Sequence, residues 1–322
     1  MLPYVDDSIG VVPHCHATFL FNAFIDLVDR LGLQLSATPG HITPPGSRVV
    51  ALGVQYDTIA NTVSLPEEKL VALGCLLIEW LQKVSATPKE LASLAGKLLW
   101  CCSVVPPGRV FLGRVLATKR EADRARRRIP LDTEFRLDIE WWHQKVRAWN
   151  GRSFLVPVYS ADVALDASSD GWFSGTPGIS GFCYATQEFF ATGVPAEMSS
   201  WHIGNLELLA HIIALRLWGK DWRGYSVNIL TDNEGCRHLI NNGRTRDSLR
   251  LKMARSIVGL QFDSEFRIES ARISSSQNIL ADALSRLGQH GMWHRFSETC
   301  NNYNVVPVRV HVPADIFVQA TW

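Results

Sequence analysis

Apolar positions recur at helical spacing through the first half of the chain. Over residues 16–33, Leu20, Phe24, Leu27 and Leu31 share one face, and Gly32 supplies a stop. Pro66-Glu67-Glu68 opens a second helix, with Leu70, Leu73, Leu77 and Leu81 inward. Thr87-Pro88-Lys89-Glu90 opens a third, carried by Leu91, Leu94 and Leu98 until Pro106-Pro107-Gly108 breaks it. Residues 131–149 place Phe135, Ile139, Trp142 and Val146 inward on another helix. Strand-like runs at 48–54 and 62–65 lie between the first two helices, separated by a polar turn over 57–61. At the start, two short apolar segments flank Asp6-Asp7-Ser8, which reads as a hairpin with acids at its tip. A chain that opens in mid-hairpin is expected to be truncated.

Asn150-Gly151 marks a turn, and the texture then changes. Strands are expected at 156–165, 181–184, 189–192, 226–231 and 266–273, and helices at 206–218, 248–260 and 279–287. Three strands followed by αβαβα predict a mixed sheet with flanking helices, an α/β class. The stretch after Gly291 shows no clear partner elements, and there is no internal repeat.

Composition adds limits. Apolar residues make up 47% and charged residues 20%, which excludes a wholly disordered chain. No apolar run approaches the ~20 residues of a membrane helix. The net charge of +1 gives no global field toward nucleic acid, so such a surface must be local. Residues 109–128 are the candidate: eight Lys or Arg against Glu121 and Asp123, a local balance of +6. Within it Arg126, Arg127 and Arg128 are the densest run, open to two readings, a solvated helix face or a surface that tracks phosphates. Seven cysteines at irregular spacing, with no CxxC pair, point to reduced thiols in an intracellular protein. His14-Cys15-His16 is the only local cluster of soft ligands, and adjacent strand residues face opposite ways, so no metal site is expected there.

Four acids of the second half stand out. Asp166 ends the first strand after Val163-Ala164-Leu165, on the face shared by Asp162 and Ala164. Glu207 interrupts the apolar helix of Leu206, Leu208, Leu209, Ile212 and Ile213, where a carboxylate costs free energy unless paired or metal-bound. Asp232 ends the strand of Ile229-Leu230-Thr231, and Asp282 lies in Ala281-Asp282-Ala283-Leu284. Taken singly, each also suits a cap or a surface charge. Together, hard oxygen ligands from strand ends and helices are what two Mg²⁺ ions need for phosphodiester hydrolysis.

With these motifs in order, the chain resembles a retrotransposon reverse transcriptase with its ribonuclease H domain, most nearly the DIRS type. Tyr4-Val5-Asp6-Asp7 matches the YVDD polymerase motif with its paired catalytic aspartates. Asp166-Ala167-Ser168 with Gly171-Trp172, the Glu207 helix, Thr231-Asp232-Asn233 and Asn278 through Arg286 match ribonuclease H. Leu52-Gly53-Val54 with Leu65-Pro66 is similar to the end of a palm, and Leu94-Ala95-Gly96-Lys97-Leu98 to a thumb helix. The resemblance implies a partial palm over 1–65, thumb and connection helices over 66–150, a ribonuclease H-like domain over 151–288 and a tail over 289–322. It implies Asp166, Glu207, Asp232 and Asp282 as ligands of two Mg²⁺ ions, an RNA–DNA hybrid as partner, and cleavage of its RNA strand. Asp6 and Asp7 would be polymerase aspartates, but the third palm aspartate and the fingers belong upstream of YVDD. No polymerisation is expected from this chain alone. The alternative expectation is an inactive remnant that only binds nucleic acid.

Overall fold

The computed structural model describes residues 2–4, 7–36, 38, 41–155 and 158–318. In chain order the first half forms β1 (Leu2–Tyr4), β2 (Asp7–Ile9), α1 (His14–Arg30), β3 (Arg48–Ala51), β4 (Val54–Asp57), β5 (Thr62–Ser64) and α2 (Glu67–Gln82). Then come β6 (Ser85–Ala86), α3 (Pro88–Cys101), α4 (Gly113–Ala125), β7 (Ile129–Pro130), α5 (Thr133–Lys145) and β8 (Arg152–Ser153). The second half forms β9 (Tyr159–Ser168), β10 (Gly178–Cys183), β11 (Glu188–Gly193), α6 (Ile203–Trp218), β12 (Ser226–Thr231), α7 (Glu234–Asn242) and α8 (Ser248–Asp263). It ends with β13 (Arg267–Arg272), α9 (Ile279–Ser285), α10 (Met292–Asn302), β14 (Val308–Arg309) and α11 (Asp315–Val318).

The chain divides into two compact units, 1–82 with 103–105 and 140–156, and 83–102 with 106–139 and 157–322. In the first unit β1 and β2 pair antiparallel, with Tyr4 opposite Asp7. A second sheet runs β3-β4-β5-β8. The single strand expected at 48–54 is instead a hairpin. Leu52 and Gly53 take φ of 50° and 78°, and the chain reverses there so that Ala51 pairs with Val54. Two consecutive left-handed residues are the signature of a tight hairpin turn, and Leu at the first hid it. Arg48 closes the hairpin from outside with two bonds to Asp57 Oδ2, at 2.8 and 2.9 Å.

The second unit is built on one mixed six-stranded sheet, ordered β13-β12-β9-β10-β11-β14. β9, β10 and β11 form an antiparallel meander, while β12 runs parallel to β9 and β13 parallel to β12. The α/β class with flanking helices expected from the sequence is what forms. Side chains alternate across β9 and β10. Asp166, Ser168, Ser180 and Phe182 face α9, which Ser180 ties down by donating to the Ala281 carbonyl at 2.7 Å. Leu165 and Gly181 face the other side with Phe190, whose ring meets Trp218 of α6 at 5.6 Å. α6 is buried almost throughout, which is why its sequence is apolar all round.

α3 starts at a capping box. Thr87 Oγ1 accepts from the Glu90 amide and Glu90 Oε2 accepts from the Thr87 amide, at 3.3 and 2.7 Å. The α3–α5 segment of this unit meets α8 through Asp138, whose side chain is 1% exposed between Arg114 and Arg255. Two further elements depart from the sequence reading. α7 follows Asp232 directly and carries only Cys236 and Leu239 inward, too few apolar positions to show a period. The tail after Gly291 does have partners: Phe296 and Cys300 of α10 join Phe182, Phe189, Ala191 and Leu284 in one buried cluster, and β14 pairs with β11. Among the described residues no helix is long and apolar enough to cross a membrane.

Candidate active site

Asp166 lies on the α9 face of β9, opposite Ser180 of β10 in register, and is 7% exposed. Ser285 Oγ of α9 donates to its Oδ2 at 2.5 Å. Burial pushes the Asp166 carboxyl up to about 7; the Ser285 bond opposes this, and the charges of Asp232, Asp282 and Glu207 add to it. Those contributions place Asp232, Asp282 and Glu207 within electrostatic reach of Asp166.

The sheet register accounts for the Asp232 position. Leu230 pairs with Ala164 in the parallel β12–β9 ladder, and the same offset two residues on sets Asp232 level with Asp166. Ser275 Oγ donates to Asp232 Oδ2 at 2.7 Å. The next residue, Asn233, does two jobs. Its side-chain Oδ1 accepts from the Cys236 amide and caps α7, while its Nδ2 donates to Glu207 Oε1 at 3.1 Å. Glu207 is 7% exposed, and its Oε2 is buried without a hydrogen-bond partner. Burial pushes its carboxyl up to about 7; the Asn233 bond opposes this and the Asp232 charge adds to it.

α9 brings the fourth acid. Asn278 anchors its start by donating to the Leu165 carbonyl at 3.1 Å. A Cβ on Gly178 would lie 2.0 Å from the Ser285 carbonyl oxygen, so only glycine lets the helix sit this low on β10. Asp282 points to two guanidiniums: Arg286 Nε at 2.8 Å from Oδ1, and Arg295 Nη1 of α10 at 3.0 Å from Oδ2.

Whether these residues suit a divalent cation can be judged from their own chemistry. The donors are all carboxylate oxygens, two of the acids are buried among like charges, and one Glu207 oxygen has no donor to satisfy it. A hard cation would answer each of these. Among the described residues, no group of three or more His, Cys, Asp or Glu stands gathered as a ready ligand set. Asp282 is turned to its arginines. The donor set fits, with the two arginines competing for Asp282.

The remaining sequence candidates fall elsewhere. Asp6 lies outside the described residues, and Asp7 opens β2. His14-Cys15-His16 opens α1, a helix rather than a strand, and all seven cysteines are free. The basic segment is divided by its surroundings. Arg114 pairs inward with Glu134 and Asp138, and Lys119 with Asp123. Arg128 donates to the Ser85 carbonyl at 3.0 Å and meets Glu90 at 3.4 Å. Arg126 caps α4 in a left-handed conformation, and it and Arg127 are exposed. The sequence reading missed Arg295, Ser275 and Arg250, the last bonding Asn205 Oδ1 at 2.9 Å beside the Glu207 helix. None lies in a motif, and no local pattern signals them.

No protein-family model matches the sequence, and no curated protein matches it. Several solved structures are similar. Ribonuclease H1 from the halophilic archaeon Halobacterium salinarum aligns over 40% of this chain and 96% of its own, at 13% identity and a TM-score of 0.32. LC11 ribonuclease H1, in complex with an RNA/DNA hybrid, aligns over 39% of this chain and 93% of its own, at 15% identity and 0.32. A foamy viral protease–reverse transcriptase, also in complex with an RNA/DNA hybrid, aligns over 81% of this chain and 34% of its own, at 12% identity and 0.33. Scores of this size carry no residue-by-residue correspondence.

Proposed function

We propose that the chain is a ribonuclease H-type nuclease that hydrolyses the RNA strand of RNA–DNA hybrids with two Mg²⁺ ions. In this reading its parent is a DIRS-type retrotransposon reverse transcriptase. Residues 1–65 are palm, 66–150 thumb and connection, 151–288 the nuclease, and 289–322 a tail. The observation that carries it is the buried Asp166 with Glu207, Asp232 and Asp282 in electrostatic reach of it, drawn from two adjacent strands and two helices.

Asp166, Glu207, Asp232 and Asp282 would hold the ions. When bound, such a pair lowers the pKa of the attacking water and neutralises charge on the leaving 3′-oxygen. The protein's own part is positional. Ser285 fixes the Asp166 carboxylate, Ser275 fixes Asp232, and Asn233 orients Glu207 while capping α7. Burial of Asp166 and Glu207 keeps water from screening them, so a cation is held more strongly than on an open surface. Exposed cations such as Arg126 and Arg127 would track phosphates, and selectivity for the hybrid would come from backbone shape and 2′-hydroxyl contacts.

The test compares labelled RNA–DNA hybrid, duplex DNA and duplex RNA of one sequence with Mg²⁺ present. The proposal expects cuts only in the RNA of the hybrid, leaving 5′-phosphates. A chain that binds the hybrid and never cuts it would be a binding remnant instead.

A further inference from the structure

Arg295 enters the acid cluster from α10, within the tail to which the sequence reading gave no role. Both oxygens of Asp282 are taken by guanidiniums, Oδ1 by Arg286 and Oδ2 by Arg295. The two arginines are not equivalent. Arg286 lies one turn along α9 from Asp282 and travels with it. Arg295 comes from a separate helix whose backbone is pinned by its neighbours Phe296 and Cys300, 0% and 2% exposed, packed on Phe182, Phe189 and Leu284. Its own side chain is 43% exposed, so it can leave Asp282 without entering the core.

We propose that Arg295 is a latch on the divalent-cation site: it occupies the Asp282 carboxylate, and a cation that takes Asp282 displaces it. The inference rests on the nuclease reading above. A cation that takes Asp282 must displace a like charge already seated on that carboxylate, which weakens its binding. The released guanidinium stays at the rim of the cluster, tethered to a fixed helix, where an RNA phosphate would accept it. Cation and phosphodiester then favour each other's binding, since each removes a charge that opposes the other, and the coupling is reciprocal. Arg295 is on this account a positioning residue that acts through Asp282.

The test is Mn²⁺ binding to the full chain without nucleic acid, read from the electron paramagnetic resonance signal of free Mn²⁺. R295Q should bind Mn²⁺ about tenfold more tightly than wild type, the scale for removing one competing charge at a half-exposed site. R295K keeps the charge and should stay near wild type. D282N and D282N/R295Q should bind alike, because the arginine has no route to the cation except through Asp282. Unchanged or weaker binding by R295Q, with D166N/D232N still abolishing binding, would overturn the latch and leave the nuclease reading standing. Mn²⁺ binding that ignores D166N/D232N would remove the cation site and the latch with it.

Discussion

Replacing Asp166 with Asn tests the burial of like charges at the centre of the site, without nucleic acid or metal. The folded carboxyl titrates at about 7 against an ordinary value of 3.8. Between these values the folded chain keeps a proton that the unfolded chain has released, so stability falls as pH rises through that window. At pH 8 the ionised carboxylate costs roughly 4 kcal/mol, at about 1.4 kcal/mol per pH unit. Asn cannot ionise and avoids this cost. The Ser285 bond to the charged form is already contained in that cost, because it opposes the upward shift. D166N should therefore be about 4 kcal/mol more stable than wild type at pH 8 with chelator present. The advantage should shrink through pH 7 to 4 and vanish below about 4. Urea unfolding across that range, followed by tryptophan fluorescence, reads it directly. Added Mg²⁺ should stabilise wild type and not the variant, because only wild type retains the ligand. A variant less stable than wild type at pH 8, or a difference that ignores pH, would refute the idea that Asp166 is buried among three other acids.

Two further outcomes follow from other parts of the second unit. Replacing Arg126 and Arg127 with Gln should flatten the salt dependence of hybrid binding by about one unit of slope per lost phosphate contact. Arg128 is left out because it holds Ser85 and Glu90; an unchanged slope would return the segment to a plain solvated face. R255Q removes one of the two guanidiniums that offset the burial of Asp138, whose carboxyl burial already pushes up to about 6, and should destabilise the chain by about 1.5–3 kcal/mol in urea unfolding at neutral pH. A loss under 1 kcal/mol would show that water reaches the pair freely.

Much of this architecture was legible because local signals agreed with the final packing. The strand 226–231 and the helix start at Thr87-Pro88 are set by alternation and by a capping box, both of which act within a few residues. The four acids could be named from context, since a charge inside an apolar helix or at a strand end is conspicuous. What joins them was not legible. Ser285, Ser275 and Arg295 reach their carboxylates only because α9 and α10 pack on the sheet, and no spacing along the chain encodes that. The Leu52-Gly53 turn was hidden by a leucine in a left-handed conformation, and α10 by carrying only Phe296 and Cys300 inward.

Paired cleavage and binding curves for wild type and D232N on one labelled RNA–DNA hybrid, with and without Mg²⁺, test the central claim most directly. Asp232→Asn keeps the size of the side chain and removes a charge that the cations would need. The account predicts Mg²⁺-dependent cutting of the RNA strand by wild type and none by D232N, at closely similar affinities for the hybrid. Cutting that survives D232N, or binding by wild type with no cutting at any Mg²⁺ concentration, would contradict it.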